Sequence, residues 1–368
     1  MTFITSRQAC DRVDRGDRDE RRALSSGATQ GTITVIRILP VSIVLLALFV
    51  VGGRTTQAQR PGYDQFFVFG DSLSDTGNIW ILTKTLGAQP AIPPSEDPHR
   101  SYFSGRFSNG PVAFEYLWGE LRSQVPFIPP FLGRWRLPSD GAVSFAFGVS
   151  GSEDFTQVGQ FPIPGLGAQI ELFRWALLGR RAPRRALYAV FTGANDYLVD
   201  PGAQPADPAD VVENIARGIR RLHRLGARHV IVPNLPDLGL VPIAGPSSAL
   251  LSQITAQHNA LLAWRLDVLS SQLPGLRIIA IDLNDALATL PEGAIFNPPA
   301  LDALFPIPLN GVPASLCIFV NPSACPNVAS FAVDPRYVFW DAQHPTTAAH
   351  AAVAGYMHDV VRSHAYQQ

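Results

Sequence analysis

The stretch FFVFGDSLSDTGN (66–78) joins a short run of aromatic and β-branched residues to a glycine and then to a polar cluster. Runs of four to eight apolar residues that close on Gly, Asn or Asp are typical of buried parallel strands. In open α/β sheets, ligands and active sites lie just outside the carboxyl ends of such strands. Asp71 and Ser72 are therefore candidates for chemistry, although the same pair could serve as a helix N-cap.

Four further segments have the same strand-like character. Together with helical patterns between them, they indicate βαβ units and a parallel sheet covered on both faces. The polar residues that follow each strand are then expected at one edge of the sheet. The four segments are SFAFG (144–148), ALYAVFTG (186–193), HVIVPNLPDLG (229–239) and LRIIAIDL (276–283).

Three segments have helical periodicity. In residues 207–229, apolar side chains recur every three or four positions, and Gly226 stands where a helix C-cap glycine is expected. Residues 247–272 and 346–363 give two more helices. The stretch 84–141 is rich in Pro, Gly and aromatic residues and is predicted to form loops over the sheet.

Residues 1–58 are predicted to be an N-terminal extension that carries a secretion signal. Residues 11–22 are mostly charged, and Arg37 precedes an apolar run at 38–53 that is shorter than the roughly 20 residues of a membrane span. The small residues of Thr56–Ala58 suit cleavage after Ala58. The expected protein is secreted or periplasmic with no stable membrane span; the alternative is an uncleaved N-terminal anchor.

Charge and cysteine content argue against a nucleic-acid-binding protein and against a zinc site. The 29 basic and 30 acidic side chains nearly balance, which gives no electrostatic reason to expect nucleic acid as a partner. Of the three cysteines, Cys10 precedes the signal. Cys317 and Cys325 are predicted to form a local disulfide in an exported protein, with free thiols as the alternative. Without nearby histidines, they are poor zinc ligands.

Ser72 becomes chemically interesting in combination with the end of the chain. A serine nucleophile needs a base and a group that orients the base. His344 is a suitable base, and Asp341 stands three residues before it, close enough to face its imidazole. Donors to an oxyanion could come from the Ser72 N–H, an N–H within 148–151 and the Asn195 side chain.

Each of these residues also has a purely structural interpretation. Asn195 could be a turn residue and Asp341 a helix cap. Their joint occurrence after successive strands favours a catalytic site. The segment 70–74 lacks the second glycine of a G-x-S-x-G nucleophile elbow, which argues against an α/β-hydrolase fold.

Five segments together resemble the sequence blocks of the GDSL lipase/esterase family, also called SGNH hydrolases, in its lipase-like branch. The resemblance covers roughly residues 63–363. It implies a hydrolase domain at 63–365 that folds as a three-layer α/β/α sandwich with a parallel, flavodoxin-like sheet. The segments are FVFGDSLSDTGN (67–78), GRFSNGPVAFEYL (105–117), FTGANDYL (191–198), NLPDLGLVP (234–242) and YVFWDAQHPTTAAH (337–350). SFAFGVS (144–150) stands where the family has its glycine block and matches it only in part.

The resemblance assigns roles by position. It implies that Ser72 is the nucleophile, His344 the base and Asp341 its orienting acid, with Ser72, Gly148 and Asn195 forming the oxyanion hole. The glycine block departs from the family pattern, because the second glycine is replaced by Val149. The turn conformation could therefore differ, and Val149 or Gly151 could supply the amide instead.

The implied function is hydrolysis of carboxylic esters through an acyl-enzyme, without metal or cofactor, on a small-molecule or lipid ester. Acyl transfer to an alcohol, polysaccharide deacetylation and non-catalytic carbohydrate binding on the same scaffold are the alternatives. Aromatic residues between 102 and 136 could line an acyl groove or pack loops onto the sheet. They are Tyr102, Phe103, Phe107, Phe114, Tyr116, Trp118, Phe127, Phe131 and Trp135.

Overall fold

A five-stranded parallel sheet forms the centre of the computed structural model. The structure describes residues 62–96, 102–122, 127–134, 136–158, 161–198, 204–290, 292–296 and 334–365. In these ranges the strands are β1 (Gln65–Gly70), β2 (Gly141–Ser144), β3 (Phe155–Val158), β4 (Phe161–Pro164), β5 (Ala186–Phe191), β6 (His229–Pro233) and β7 (Arg277–Ile281).

The sheet has the order β2-β1-β5-β6-β7, and each neighbouring pair is parallel. Strands β3 and β4 form a separate antiparallel hairpin. When the hairpin is set aside, the order of the sheet strands is 2-1-3-4-5, which is the flavodoxin-like arrangement. The predicted fold class is thereby confirmed.

The helices alternate with the strands along the chain. The helix predicted at 207–229 spans 208–225, the one at 247–272 spans 248–272, and the one at 346–363 spans 347–365. In the described ranges the helices are α1 (Asn78–Thr85), α2 (Ala113–Arg122), α3 (Leu166–Ala176), α4 (Pro208–Leu225), α5 (Ser248–Gln272), α6 (Leu283–Leu287) and α7 (Thr347–Ala365).

Local chemistry sets the ends of α4. The Asp207 side chain accepts a hydrogen bond from the Ala209 N–H, and Pro208 occupies the first turn, where its missing N–H costs nothing. Gly226 ends the helix with a φ of 126°, a conformation that favours glycine. The predicted C-cap at Gly226 is present.

Alternating side chains of β1 show that helices cover both faces of the sheet. The Phe66 ring lies 5.8 Å from Phe114 and from Trp118, both in α2. The next residue, Phe67, packs 4.9 Å from Phe173 in α3. Because successive strand side chains point to opposite faces, α2 and α3 lie on opposite sides of β1. This arrangement gives three layers with two apolar interfaces.

Two predicted boundaries differ from the structure. The strand expected at 144–148 ends at Ser144. Beyond it, the N–H groups of Phe145 and Phe147 still donate to the β1 carbonyls of Val68 and Gly70 at 2.7 and 3.2 Å. The Asn78 side-chain amide donates to the carbonyls of Ser144 and Ala146 at 2.9 and 2.8 Å, so backbone and side-chain bonds together hold this segment. The region 84–141, expected to be loops, contains α2.

Some predictions fall outside the described residues. These are the N-terminal extension at 1–58 with its apolar run, and the disulfide between Cys317 and Cys325. Within the ranges that the structure describes, no helix has both the length and the apolar character needed to cross a bilayer.

The sheet order places the carboxyl ends of β1 and β5 next to each other. From β1 the chain crosses to β2 on one side, and from β5 it crosses to β6 on the other. Such a reversal opens a crevice at the carboxyl edge, which is where open α/β sheets bind ligands. The segments after β1 and β5 begin at Asp71 and Thr192.

Candidate active site

Strand β1 ends at Gly70, where two backbones come very close. A Cβ on Gly70 would lie 2.0 Å from the carbonyl oxygen of Phe191, so a larger residue does not fit. The Gln169 side chain accepts from the Gly70 N–H at 2.9 Å and donates to the Gly70 carbonyl at 2.8 Å. The Ser150 hydroxyl donates to the same carbonyl at 3.0 Å. These bonds join the end of β1 to α3 and to the turn after β2.

The next residues form one helix-like turn that carries Ser72. The N–H groups of Ser74 and Asp75 donate to the Asp71 carbonyl at 3.0 and 2.9 Å. The Asp71 carboxylate accepts from the Leu73 N–H at 3.1 Å. Burial raises the pKa of Asp71 to about 7, and the Leu73 hydrogen bond offsets only part of this effect.

The Asp75 carboxylate connects this turn to two other segments. It accepts from the N–H groups of Gly77, Asn78 and Ile79 at 2.7, 2.6 and 3.0 Å, at the start of α1. It also accepts from the Gly148 N–H at 2.7 Å. Burial raises the pKa of Asp75 to about 6, although all four hydrogen bonds favour its ionised form.

Ser72, His344 and Asp341 lie together in a buried hydrogen-bonded chain. His344 Nε2 is 2.9 Å from Ser72 Oγ, and His344 Nδ1 is 2.7 Å from Asp341 Oδ2. In a neutral imidazole, the nitrogen that faces a carboxylate carries the proton, so Nε2 can accept one from the serine. The structure thus brings together the three residues that the sequence analysis singled out.

Asp341 is held by four donors. Its Oδ1 accepts from the N–H groups of Gln343 and His344 at 2.9 and 2.8 Å. Its Oδ2 accepts from His344 Nδ1 and also from the Tyr102 hydroxyl at 2.7 Å. Burial alone would raise the pKa of Asp341, but the His344 charge and the hydrogen bonds outweigh burial and lower it.

The contact between Tyr102 and Asp341 had no signal in the sequence. The two residues are 239 positions apart, and the sequence predicts only groove lining or loop packing for Tyr102. Burial raises the pKa of the Tyr102 phenol well above its usual value, and the neighbouring Asp341 carboxylate raises it further. Tyr102 is therefore a neutral hydrogen-bond donor at working pH.

The turn at 148–151 contains the predicted amide donors. The Gly148 N–H is already engaged by Asp75, and the Gly151 N–H donates to Thr156 Oγ1 at 2.7 Å. The Val149 N–H has no hydrogen-bond partner in the described part of the chain. Val149 has a φ of 71°, a left-handed conformation that is rare for a β-branched residue. At this position a valine therefore holds a backbone conformation that favours glycine.

Asn195 lies beside this turn. It belongs to a short 3₁₀ segment, Ala194–Asp196, directly after β5. Its side-chain nitrogen donates to the Ser150 carbonyl at 2.9 Å, which uses one of its two N–H groups. The Asp196 carboxylate accepts from both the N–H and the hydroxyl of Ser152. The segments after β2 and β5 are therefore tied together.

An apolar cavity of about 90 Å³ opens beside Ser72, Asn195 and His344. Its walls are mainly aliphatic. Of the described aromatic residues between 102 and 136, none lines this cavity, and Tyr102, Phe107, Phe114 and Trp118 are buried in packing contacts. The loop-packing interpretation therefore fits these four rings. Apolar lining residues include Leu73, Leu198, Leu238, Val241, Val338 and Phe339.

Comparison with known proteins gives concordant results. Residues 66–357 match the family model described as GDSL-like Lipase/Acylhydrolase. The chain is 28% identical over 333 residues to a phosphatidylcholine-sterol acyltransferase of Aeromonas hydrophila, covering 82% of this chain and 91% of that protein. It is 25% identical over 358 residues to GDSL esterase/lipase 7 of Arabidopsis thaliana, covering 87% and 94%.

A solved structure also aligns with most of the chain. It is a member of the lipolytic protein G-D-S-L family from Veillonella parvula DSM 2008. The two share 12% identity and a TM-score of 0.37, and the alignment covers 80% of this chain and 97% of that one.

The backbone of Val149 allows a direct stability test. At a φ of 71° the usual preference for alanine over glycine should reverse, because a Cβ is strained in the left-handed region. We expect Val149→Gly to be more stable than Val149→Ala by about 1 kcal/mol. Urea denaturation of both variants measures the difference.

Val360, half-buried in α7, provides the matched control. There Val360→Ala should be more stable than Val360→Gly by about 1 kcal/mol, since glycine is unfavourable inside a helix. If alanine is the more stable substitution at both positions, Val149 does not hold the left-handed conformation.

Proposed function

The chain belongs to the GDSL-like lipase/acylhydrolase family and is a carboxylic ester hydrolase, and we propose that it acts through an acyl-enzyme formed on Ser72. The observation that carries the proposal is the buried hydrogen-bonded chain of Ser72, His344 and Asp341, with contacts of 2.9 and 2.7 Å. These are the distances that a nucleophile, its base and the group that orients the base require.

The reaction follows from the positions of these groups. His344 Nε2 takes the Ser72 proton as Oγ attacks the ester carbonyl, and Asp341 stabilises the imidazolium while remaining ionised. His344 then returns the proton to the leaving alcohol, and an acyl-enzyme remains on Ser72. A water molecule, activated by His344 in the same way, releases the acid. No step in this route calls for a metal or cofactor.

The oxyanion would be stabilised by three N–H groups. We assign them to the backbone N–H of Ser72, the backbone N–H of Val149 and the side chain of Asn195. Val149 replaces Gly148, the residue favoured from the sequence, because Asp75 already engages the Gly148 N–H. An amide committed to a carboxylate is not available to a developing oxyanion.

The cavity beside Ser72 favours uncharged esters with an apolar acyl group. Its aliphatic walls exclude water and gain free energy when they cover hydrocarbon, at roughly 25 cal/mol per Å² of apolar surface. A charged acyl group would lose its hydration there without finding a partner. We therefore propose small-molecule or lipid esters as substrates.

The proposed nucleophile is tested by Ser72→Ala. We expect hydrolysis of p-nitrophenyl esters to fall by about four orders of magnitude or more, because no acyl-enzyme can form. The matched control is Ser74→Ala, which removes a hydroxyl that makes no hydrogen bond among the described residues two positions further along the same turn. Ser72→Ala turnover close to the wild-type rate, with the fold intact by circular dichroism, would contradict the assignment.

Acyl transfer to an alcohol is a second candidate, favoured by the similarity to the Aeromonas acyltransferase. A series of p-nitrophenyl esters of increasing chain length, assayed with and without an alcohol, separates the two outcomes. For a hydrolase, free acid remains the main product when alcohol is added. For a transferase, the new ester predominates, because alcohol outcompetes water for the acyl-enzyme, and p-nitrophenol release accelerates where deacylation limits turnover.

Secretion is proposed from the N-terminal sequence. The apolar run at 38–53 and the small residues before Gln59 support export with cleavage after Ala58. N-terminal sequencing of the exported protein should give a start near Gln59. A protein that retains Arg37 would instead support the membrane-anchored alternative.

A further inference from the structure

We propose that Tyr102 is a positioning residue for the catalytic triad, and that its hydroxyl sets both the orientation of Asp341 and the pH range in which His344 acts as a base. This inference rests on the proposed function, since it requires that Ser72, His344 and Asp341 perform the reaction. It adds a fourth side chain, from a different loop, to the three already assigned.

The hydrogen bonds at Asp341 divide its two oxygens. Oδ1 accepts from the backbone N–H groups of Gln343 and His344, which belong to the same short loop. Oδ2 faces the His344 ring and accepts from Nδ1 and the Tyr102 hydroxyl, each at 2.7 Å. Tyr102 therefore contacts Asp341 from outside this loop, and it binds Oδ2, the oxygen that faces the His344 ring.

The Tyr102 side chain has little freedom to turn away. Only 2% of its surface is exposed. Its ring packs edge-on against Phe107 and Trp340, with centroids 6.4 and 6.2 Å away. Phe107 in turn packs 4.8 Å from the His344 ring. A buried hydroxyl that lost its acceptor would leave an unpaired polar group, so packing and hydrogen bonding favour the same orientation.

The shared oxygen has an electrostatic consequence. The Tyr102 O–H draws on the negative charge of Oδ2, which reduces the attraction of that oxygen for a protonated His344. Without the hydroxyl, the full carboxylate charge would favour imidazolium. Imidazolium cannot accept the Ser72 proton. As the pH is lowered, activity would therefore begin to fall at a higher pH than in the wild type.

In the described part of the chain, two other titratable groups interact electrostatically with His344. Burial lowers the pKa of His350, on α7, to about 3, so it stays neutral through the working range. Asp71, with a pKa raised to about 7, titrates within that range. Asp71 is unchanged in all the variants below, so its contribution to the pH profile is common to the variants and the wild type.

The test is the pH profile of kcat/KM for Tyr102→Phe on a p-nitrophenyl ester. We expect kcat to fall about 3- to 10-fold with little change in KM, because one hydrogen bond to an ordered group is lost. The acid limb of kcat/KM should move up by roughly half a pH unit. A purely structural role for Tyr102 would lower activity equally at all pH values.

Incorporation of 3,5-difluorotyrosine at position 102 tests the direction in which the acid limb shifts. Fluorination keeps the ring and the O–H but makes the hydroxyl a stronger donor, so the acid limb should move to lower pH. This variant also keeps the inference testable if Tyr102→Phe does not fold. The matched control is Tyr116→Phe, which removes a hydroxyl that contacts Thr347 at 2.7 Å rather than Asp341, and its acid limb should stay in place.

The outcomes separate the two proposals. Opposite shifts of the acid limb for the two Tyr102 variants support the positioning role. If the Tyr102 variants keep the wild-type acid limb while Ser72→Ala is inactive, the triad stands and the role of Tyr102 is refuted. If Ser72→Ala remains active, the proposed function itself fails, whatever the Tyr102 variants do.

Discussion

The geometry of the site depends on the hydrogen bonds that the carboxylate of Asp75 accepts. It accepts four backbone N–H groups, three from the start of α1 and one from Gly148 after β2. Burying a carboxylate is costly, and burial raises its pKa to about 6. Four donors offset that cost only when the Ser72 turn, α1 and the 148–151 turn have the observed arrangement. The same carboxylate withdraws the Gly148 amide from ligand binding and leaves that of Val149 available.

The order of the parallel strands explains why residues distant in sequence meet. Strands β1 and β5 are neighbours, and the chain leaves them in opposite directions. Their carboxyl ends bring the Ser72 turn and the Asn195 segment to a common edge. The loop before α7 then adds Asp341 and His344, already paired by their spacing of three. The fold itself therefore accounts for the convergence of three short segments.

Strain at Val149 is the cost of this arrangement. The replacement of the second glycine by Val149 left open whether the turn conformation differs, and Val149 lies in the left-handed region with φ at 71°. Surrounding hydrogen bonds hold the turn from both sides, through Gly148 to Asp75 and through Gly151 to Thr156. A residue in an unfavourable conformation persists when its neighbours over-determine the backbone in this way. Such positions are concentrated in active sites, and here the N–H of the strained residue has no partner among the described residues.

Properties encoded over a few consecutive residues could be predicted from the sequence. The parallel sheet could be predicted from apolar runs that end at polar residues. The end of α4 at Gly226 could be predicted from the preference of glycine for helix C-caps. The pairing of Asp341 with His344 followed from spacing. The end of β2 at Ser144 could not be predicted in this way, because the chain beyond it is held partly by the Asn78 side chain, which is far away in sequence, and partly by backbone bonds to β1.

Only the tertiary structure determined which contacts form between distant segments. It selected Val149 over Gly148 as the available amide, because Asp75 reaches Gly148 across 73 positions. It joined Tyr102 to Asp341 across 239 positions, and it lined the cavity with aliphatic side chains instead of the aromatic residues near Tyr102. Backbone preferences and short spacings act locally and can be read along the chain. The choice of a hydrogen-bond partner depends on packing, which exists only after the layers have come together.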